Sequence, residues 1–201
     1  MITGIFGGTF DPVHQGHLNL ARQLLARRVV HRVVFVPAAI PPHKRDGSVA
    51  AGRHRLRMLQ AATAEDPGLD VSVFELARAR VSYTITTARW FGRRLGPAHM
   101  RLVIGGDSLL DLPHWFRAAE LVRSFRFVVY RRPGCALPAR RRLAAALGRR
   151  PAEALLAAVV QAPQRDISAT DIRRRVARGA SVAELVPPAV RDYIHNHGLY
   201  R

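Results

Sequence analysis

The sequence predicts an α/β protein, a doubly wound parallel sheet with helices on both faces and a small C-terminal helical part over about 165–201. Three observations carry the prediction. Short, nearly continuous apolar runs alternate with longer segments of helical spacing, the pattern of parallel strands joined by crossover helices. The first apolar run passes directly into a glycine-rich turn and a helix start. The residues best suited to bind ligands follow the strands, and such sheets bind ligands at the carboxyl ends of their strands.

The elements follow in order. Ile2, Ile5 and Phe6 mark a buried first strand, and Leu18, Leu20, Ala21, Leu24 and Leu25 recur at helical spacing behind the turn. Arg32 to Pro37 contains the apolar run Val33-Val34-Phe35-Val36 and reads as a strand. Ala51 to Ala64 is a helix with Leu56, Leu59 and Ala62 on one side. Leu69 to Phe74 is a third strand, Thr84 to Leu95 a helix and Met100 to Ile104 a strand. Trp115 to Val122 is helical, and Phe125 to Tyr130 is again a strand. There are no internal repeats and no low-complexity linker. The Ala/Arg-rich stretch 139–150 is the least specified part, and 136–160 carries no motif. At 201 residues and 48% hydrophobic, the chain can bury a full core as one domain, 1–201.

The turn Gly7-Gly8-Thr9-Phe10-Asp11-Pro12-Val13-His14-Gln15-Gly16-His17 is the most informative stretch. Strand, glycine turn and helix start form a phosphate cradle: glycine lets backbone N–H groups approach a ligand, and the helix N-terminus adds partial positive charge. His14 and His17, three apart, fall on one face at the helix mouth and can donate to one phosphate chain. A His-x-x-His pair could instead ligate Zn²⁺, but that ion needs a third protein ligand and none is offered at the usual spacing. The dinucleotide fingerprint Gly-x-Gly-x-x-Gly is absent. A second cue is Ile167-Ser168-Ala169-Thr170-Asp171-Ile172-Arg173. Ser168 or Thr170 suits a helix N-cap, which could be its whole role. Alternatively, this is a second helix N-terminus aimed at phosphates, with Arg173 one turn in as a charged donor.

Composition limits the partners. The formal net charge of +18 invites a nucleic-acid reading. Yet Lys44 is the one lysine among the basic residues, and such one-sided arginine usage follows from GC-rich coding. The clusters Arg140-Arg141-Arg142, Arg149-Arg150 and Arg173-Arg174-Arg175 are short and scattered, as solvated helix faces are. Salt-sensitive adhesion to polyanions is expected, a specific nucleic-acid function is not. No apolar run reaches the ~18 residues of a membrane span and no leader pattern precedes the first strand, so no membrane partner is expected. The lone Cys135 forms no internal disulfide, which fits a reducing cytoplasm. A homo-oligomer is left open.

The first stretch resembles the nucleotidyltransferase signature Gly-Gly-Thr-Phe-Asp-Pro-x-His-x-Gly-His. With the second, the pattern resembles the nicotinate-nucleotide adenylyltransferases. Further stretches fit that family in order: Pro41-Pro42-His43-Lys44, Ser82-Tyr83-Thr84, Ile104-Gly105-Gly106-Asp107-Ser108, Pro113-His114-Trp115 opening a helix, Arg131-Arg132-Pro133-Gly134, and the tail with Val186-Pro187-Pro188, Tyr193-Ile194 and Gly198-Leu199-Tyr200. The resemblance implies a Rossmann-like fold and transfer of the adenylyl group of ATP to nicotinate mononucleotide. By the same resemblance, His14, His17 and Arg173 are catalytic. ATP is held by Gly7, Gly8, Thr9, Phe10, Lys44, Asp107, Arg132, Ser168 and Thr170, and the nicotinate by Thr84, Trp115 and Phe116. Mg²⁺ comes with the nucleotide and needs no dedicated protein site.

Plainer roles stay open for several of these. Asp107 could cap the next helix, Lys44 and Arg132 could be solvated charges, and Trp115 could be core; Trp90 reads as packing. For the acceptor, helix starts at Thr84 and at Trp115-Phe116 would offer backbone N–H groups to the nicotinate carboxylate. Neither segment carries an acidic side chain, and Arg117 lies close by. Two other classes compete: a sibling transferase with phosphopantetheine or glycerol phosphate as acceptor, usually shorter and without the Ser-Tyr-Thr and Pro-His-Trp stretches, and a non-catalytic polyanion binder, which would not need His14, His17 and Arg173 together.

Overall fold

The structure is a computed structural model that describes residues 1–40, 49–131, 136–161 and 167–201. Its centre is a six-stranded sheet in the order β3-β2-β1-β4-β5-β6, with every neighbouring pair parallel. The strands are β1 (Thr3–Gly8), β2 (Arg32–Pro37), β3 (Leu69–Val71), β4 (Met100–Gly105), β5 (Phe127–Arg131) and β6 (Val159–Gln161). The helices are α1 (Gln15–Ala26), α2 (Gly52–Thr63), α3 (Phe74–Arg78), α4 (Thr84–Leu95), α5 (Ser108–Asp111), α6 (Ala118–Ser124), α7 (Arg140–Leu147), α8 (Arg149–Ala157), α9 (Ala169–Ala177) and α10 (Pro188–Asn196). The strand order runs outward in both directions from β1, so the winding reverses between β1 and β4. At that reversal a crevice opens outside the carboxyl ends of the strands, where α/β sheets bind ligands.

Alternation along each strand builds a core on each face. In β1, Phe6 packs with Phe35, Leu18, Leu24, Met58 and Leu59 on the side of α1, α2, α9 and α10. Its neighbour Ile5 packs with Val36, Ile85, Phe91, Leu121 and Leu155 on the side of α4 to α8. Both layers are closed, which is why strands buried on two faces read as unbroken apolar runs.

The predicted strand Arg32 to Pro37 and helix Thr84 to Leu95 have the observed bounds. Other bounds change, the fifth strand among them, which starts at Phe127 rather than Phe125 because α6 runs to Ser124. The third strand ends at Val71, because the Ser72 hydroxyl accepts the Phe74 N–H at 3.3 Å and turns the chain into α3. The helix expected from Trp115 begins only at Ala118. Leu112–His114 is a 3₁₀ turn, Trp115 is extended (φ −69°, ψ 144°), and Arg117 is left-handed (φ 57°), a conformation that cannot continue an α-helix. Within 136–160, where no motif was read, lie α7, α8 and the start of the edge strand β6.

Candidate active site

The turn after β1 wraps its own backbone around a cavity of about 290 Å³. Gly7 and Gly8 line it from β1, Thr9 and Phe10 from the turn, His14 and His17 from the mouth of α1, and Ser168, Thr170 and Arg173 from the N-cap and first turns of α9, with Tyr130 from β5 closing a side. Glycine is required at position 8: a Cβ there would lie 2.8 Å from the Phe10 ring, which folds back over it. Phe10 itself is left-handed (φ 51°) and buried, its ring packed edge-on against Phe6, Phe35 and His17. It therefore gives the cavity mainly backbone.

His14 is the N-cap of α1, and the His14 and His17 rings stack with centroids 3.7 Å apart. The His14 backbone N–H donates to Nδ1 of His17 at 3.3 Å. A ring nitrogen that accepts carries no proton, so the His17 donor is Nε2–H. The helix mouth is less open than its sequence implied, because the Gln15 N–H is taken by the Leu185 carbonyl at 2.8 Å. Across the cavity, Ser168 is the extended N-cap of α9 and its side chain makes no cap hydrogen bond. Arg173 donates through Nη1 to the Asp11 carbonyl at 2.8 Å and through Nη2 to Thr170 Oγ1 at 3.3 Å. Thr170 thus orients the guanidinium, whose remaining donors are available toward the cavity.

A second cavity, of about 160 Å³, lies on the other side of Gly7 and Gly8. Thr84, Trp115, Ser82, Thr87 and Glu75 line it together with β4. The shared glycines make β1's end the partition between two adjoining sites. Phe116 is not among the lining residues: it is 55% exposed, and its ring packs on that of Tyr83 with centroids 4.8 Å apart. With α6 starting at Ala118, the anticipated helix start at Trp115-Phe116 is not there. Arg117, expected as nearby positive charge, is paired with Glu120, which also binds Arg89. Asp107 follows β4 but lines neither cavity. It stands at the N-cap position of α5 without a side-chain cap bond, and its Oδ1 sits 2.1 Å from where a Cβ at Gly105 would be. Lys44 and Arg132, like Cys135, lie outside the described residues.

Three buried charged side chains at or beside the cavities carry no sequence expectation. Arg55 is 2% exposed, and donates to the carbonyls of Thr9 (2.8 Å), Ala50 (2.8 Å) and Ala39 (3.4 Å). It ties the phosphate turn to the chain on both sides of 41–48. Burial lowers its pKa, partly offset by Asp11. The signal was present: Arg55 stands at helical spacing from Met58, Leu59 and Ala62, on the apolar face of α2. Asp11 is the second, its side chain 1% exposed. Glu75 is the third, 8% exposed and hydrogen-bonded by the Thr87 and Ser82 hydroxyls. Burial pushes its carboxyl up from the ordinary range, against the pull of those hydroxyls and of Arg55. An acid on α3, outside the two segments considered, therefore faces the second cavity.

Among the described residues, no group of three His, Cys, Asp or Glu could hold a metal ion, and no helix is long and apolar enough to cross a membrane. A glycine cradle, two stacked histidines and an opposing arginine, with Trp115 lining a second cavity alongside, suit a nucleotidyltransferase. The cytidylyltransferase-like family model matches residues 5–175. The chain belongs to this family, among the nicotinate-nucleotide adenylyltransferases. It is 39% identical over 98% of its length to a probable nicotinate-nucleotide adenylyltransferase of Roseiflexus sp. (strain RS-1), covering 97% of that protein. A protein of the same description from Thermomicrobium roseum is 38% identical, with 98% and 91% covered. Among solved structures, nicotinic acid mononucleotide adenylyltransferase of Plasmodium falciparum complexed with NaAD superposes with a TM-score of 0.79. Its identity is 17%, with 98% of this chain and 96% of that one covered, so it speaks for the fold.

Proposed function

We propose that the chain, acting as one nucleotidyltransferase domain over 1–201, transfers the adenylyl group of ATP to nicotinate mononucleotide. The products are nicotinic acid adenine dinucleotide and pyrophosphate, a step of NAD biosynthesis. The observation that carries this reading is the pair of cavities meeting at Gly7 and Gly8, one lined by phosphate donors and the other by Thr84 and Trp115.

The chemistry matches the residues. The nucleophile is the phosphate monoester of the mononucleotide, mostly dianionic at pH 7 because its second pKa is about 6. One of its oxygens forms a bond to the α-phosphorus of ATP as the bond to the bridging β-phosphate oxygen breaks. No proton has to be removed, so no general base is needed. The difficulty is electrostatic and geometric: two anions must be held in line while charge develops on the leaving pyrophosphate. His14 and His17 contact the triphosphate, with Nε2–H of His17 at the α-phosphate through the transition state. Arg173 and Ser168 hold the β- and γ-phosphates from the start of α9, with Thr170 as support, and Lys44 adds a further cation for ATP. Gly7, Gly8, Thr9 and Phe10 supply the backbone cradle, and Asp107 and Arg132 serve the adenosine end. Trp115 stacks on the pyridine ring, while the Thr84 hydroxyl and N–H take the carboxylate.

Mg²⁺, when bound, neutralises charge on the leaving pyrophosphate. The phosphate cavity fits an ion carried by the nucleotide, because its one carboxylate among the described residues, Asp11, is buried and engaged by Tyr200 and Ala50 rather than grouped with other oxygen ligands. Small molecules are the partners, with no specific nucleic acid and no membrane, and the lone Cys135 suits the cytoplasm. The test is to incubate the protein with ATP, Mg²⁺ and, in turn, nicotinate mononucleotide, phosphopantetheine or glycerol 3-phosphate, and to follow pyrophosphate. Release with the mononucleotide is expected. Release only with another acceptor would assign a sibling transferase, and none at all would leave a binding protein.

A further inference from the structure

One contact reaches the site from the far end of the fold. The Tyr200 hydroxyl, beyond α10, donates to Oδ1 of Asp11 at 2.7 Å across 189 positions of sequence. Burial, and after it the Asp11 carboxylate, push the Tyr200 phenol well above its ordinary pKa, so it stays a donor throughout the working range. The Ala50 N–H takes the same Oδ1 at 3.3 Å. The other oxygen, Oδ2, is buried without a hydrogen bond among the described residues and lies 3.8 Å from Nη1 of Arg173. That distance is short enough for attraction and too long for a hydrogen bond. Arg173 leans instead on the Asp11 main-chain carbonyl and on Thr170, with its side chain still 23% exposed.

A buried carboxylate beside a guanidinium normally closes into a short, often bidentate pair. Here closure would turn Arg173 away from the phosphate cavity and satisfy its charge internally. With Oδ1 held by Tyr200 and Ala50, the carboxylate cannot rotate both oxygens toward Arg173. We propose that Tyr200 is a positioning residue for adenylyl transfer, pinning Asp11 so that Arg173 stays restrained yet available to the triphosphate. Removing the hydroxyl frees Asp11 to capture Arg173. The proposal rests on the assignment of Arg173 to the β- and γ-phosphates.

The experiment is a double-mutant cycle on the full chain, with steady-state constants for ATP and for nicotinate mononucleotide. Tyr200→Phe should lower kcat/KM for ATP roughly 10-fold, the loss of one hydrogen bond to a charged group, and leave KM for the acceptor nearly unchanged. In an Arg173→Ala background the same substitution should change kcat/KM for ATP by less than about 2-fold, because the group it controls is gone. A merely structural tyrosine would act equally in both backgrounds. Equal factors, or native constants for Tyr200→Phe, overturn the proposal while an impaired Arg173→Ala upholds the role of the arginine. Native ATP kinetics in Arg173→Ala would overturn that role and the coupling with it. Should Tyr200→Phe not fold, Asp11→Asn carries the test from the other side: with no carboxylate left to capture Arg173, adding Tyr200→Phe to Asp11→Asn should change kcat/KM for ATP by less than about 2-fold, and a roughly 10-fold further loss overturns the proposal.

Discussion

His17→Ala separates the transition-state role of the imidazole from its structural one. Among the contacts of the side chain, Nδ1 accepts the His14 N–H, the ring stacks on His14, and it meets Phe6 and Phe10 edge to face. A helix-mouth histidine read from sequence alone would be replaceable by alanine without cost to folding. The structure predicts otherwise. Losing one hydrogen bond and part of a ring cluster costs about 1–2 kcal/mol, a fall of roughly 2–8 °C in melting temperature for a chain of this size. Removing the Nε2–H donor from the α-phosphate should lower kcat roughly 10²–10³-fold, about 3–4 kcal/mol, with a much smaller change in KM for ATP. His17 occupies the third helical position after the cap, where a glutamine side chain also reaches back to the cap N–H. His17→Gln should therefore recover most of the melting temperature but little of kcat. Steady-state kinetics and thermal melts on the two variants are the assay. Near-native kcat in His17→Ala, or recovery of kcat together with stability in His17→Gln, would refute the reasoning.

Nicotinate mononucleotide should be preferred over its amide by at least ~100-fold in kcat/KM, the ratio expected of one charge-assisted contact set; equal turnover would refute the carboxylate subsite. Trp115→Ala should raise KM for the acceptor and leave ATP binding nearly unchanged, read by titrating each substrate against a fixed excess of the other. Glu75, neutral below its raised pKa, becomes an anion as pH rises through that value, so KM for the acid acceptor should climb over this window while the amide shows no such climb. Stability runs the same way: it is full below the ordinary carboxyl value of about 4.3 and falls as pH rises through the raised one. Glu75→Gln should flatten both profiles, and an unchanged slope would exclude Glu75 as their source. Arg55→Met should destabilise by about 3–5 kcal/mol, because it strands buried carbonyls and leaves Asp11 without one counter-charge; a denaturant midpoint close to native would contradict that.

The sheet was legible because strands buried on both faces write themselves as apolar runs, as Val33-Val34-Phe35-Val36 does. The phosphate cavity was legible because a glycine turn, a helix mouth and paired histidines are local in sequence. What long-range packing decides was not. Nothing near Phe74 announced that Ser72 would end β3, and nothing near Trp115 announced the left-handed Arg117 that delays α6. The acceptor cavity suffered most: its acid, Glu75, arrives from α3, and its supposed arginine is held by Glu120. Tyr200 belonged to a recognisable tail, but its reach to Asp11 spans nearly the whole chain. Arg55 was the readable exception, a charge standing on an apolar helix face.

The central claim is that donor and acceptor sit on either side of Gly7 and Gly8 and react directly, with no enzyme-bound adenylyl group. Its most direct test is the stereochemical course at phosphorus, using an ATP analogue with one configuration of sulfur at the α-phosphate and nicotinate mononucleotide as acceptor. A single in-line displacement inverts that centre, and inversion is the predicted result. Retention would require two displacements through a covalent intermediate on a side chain, and would contradict the account.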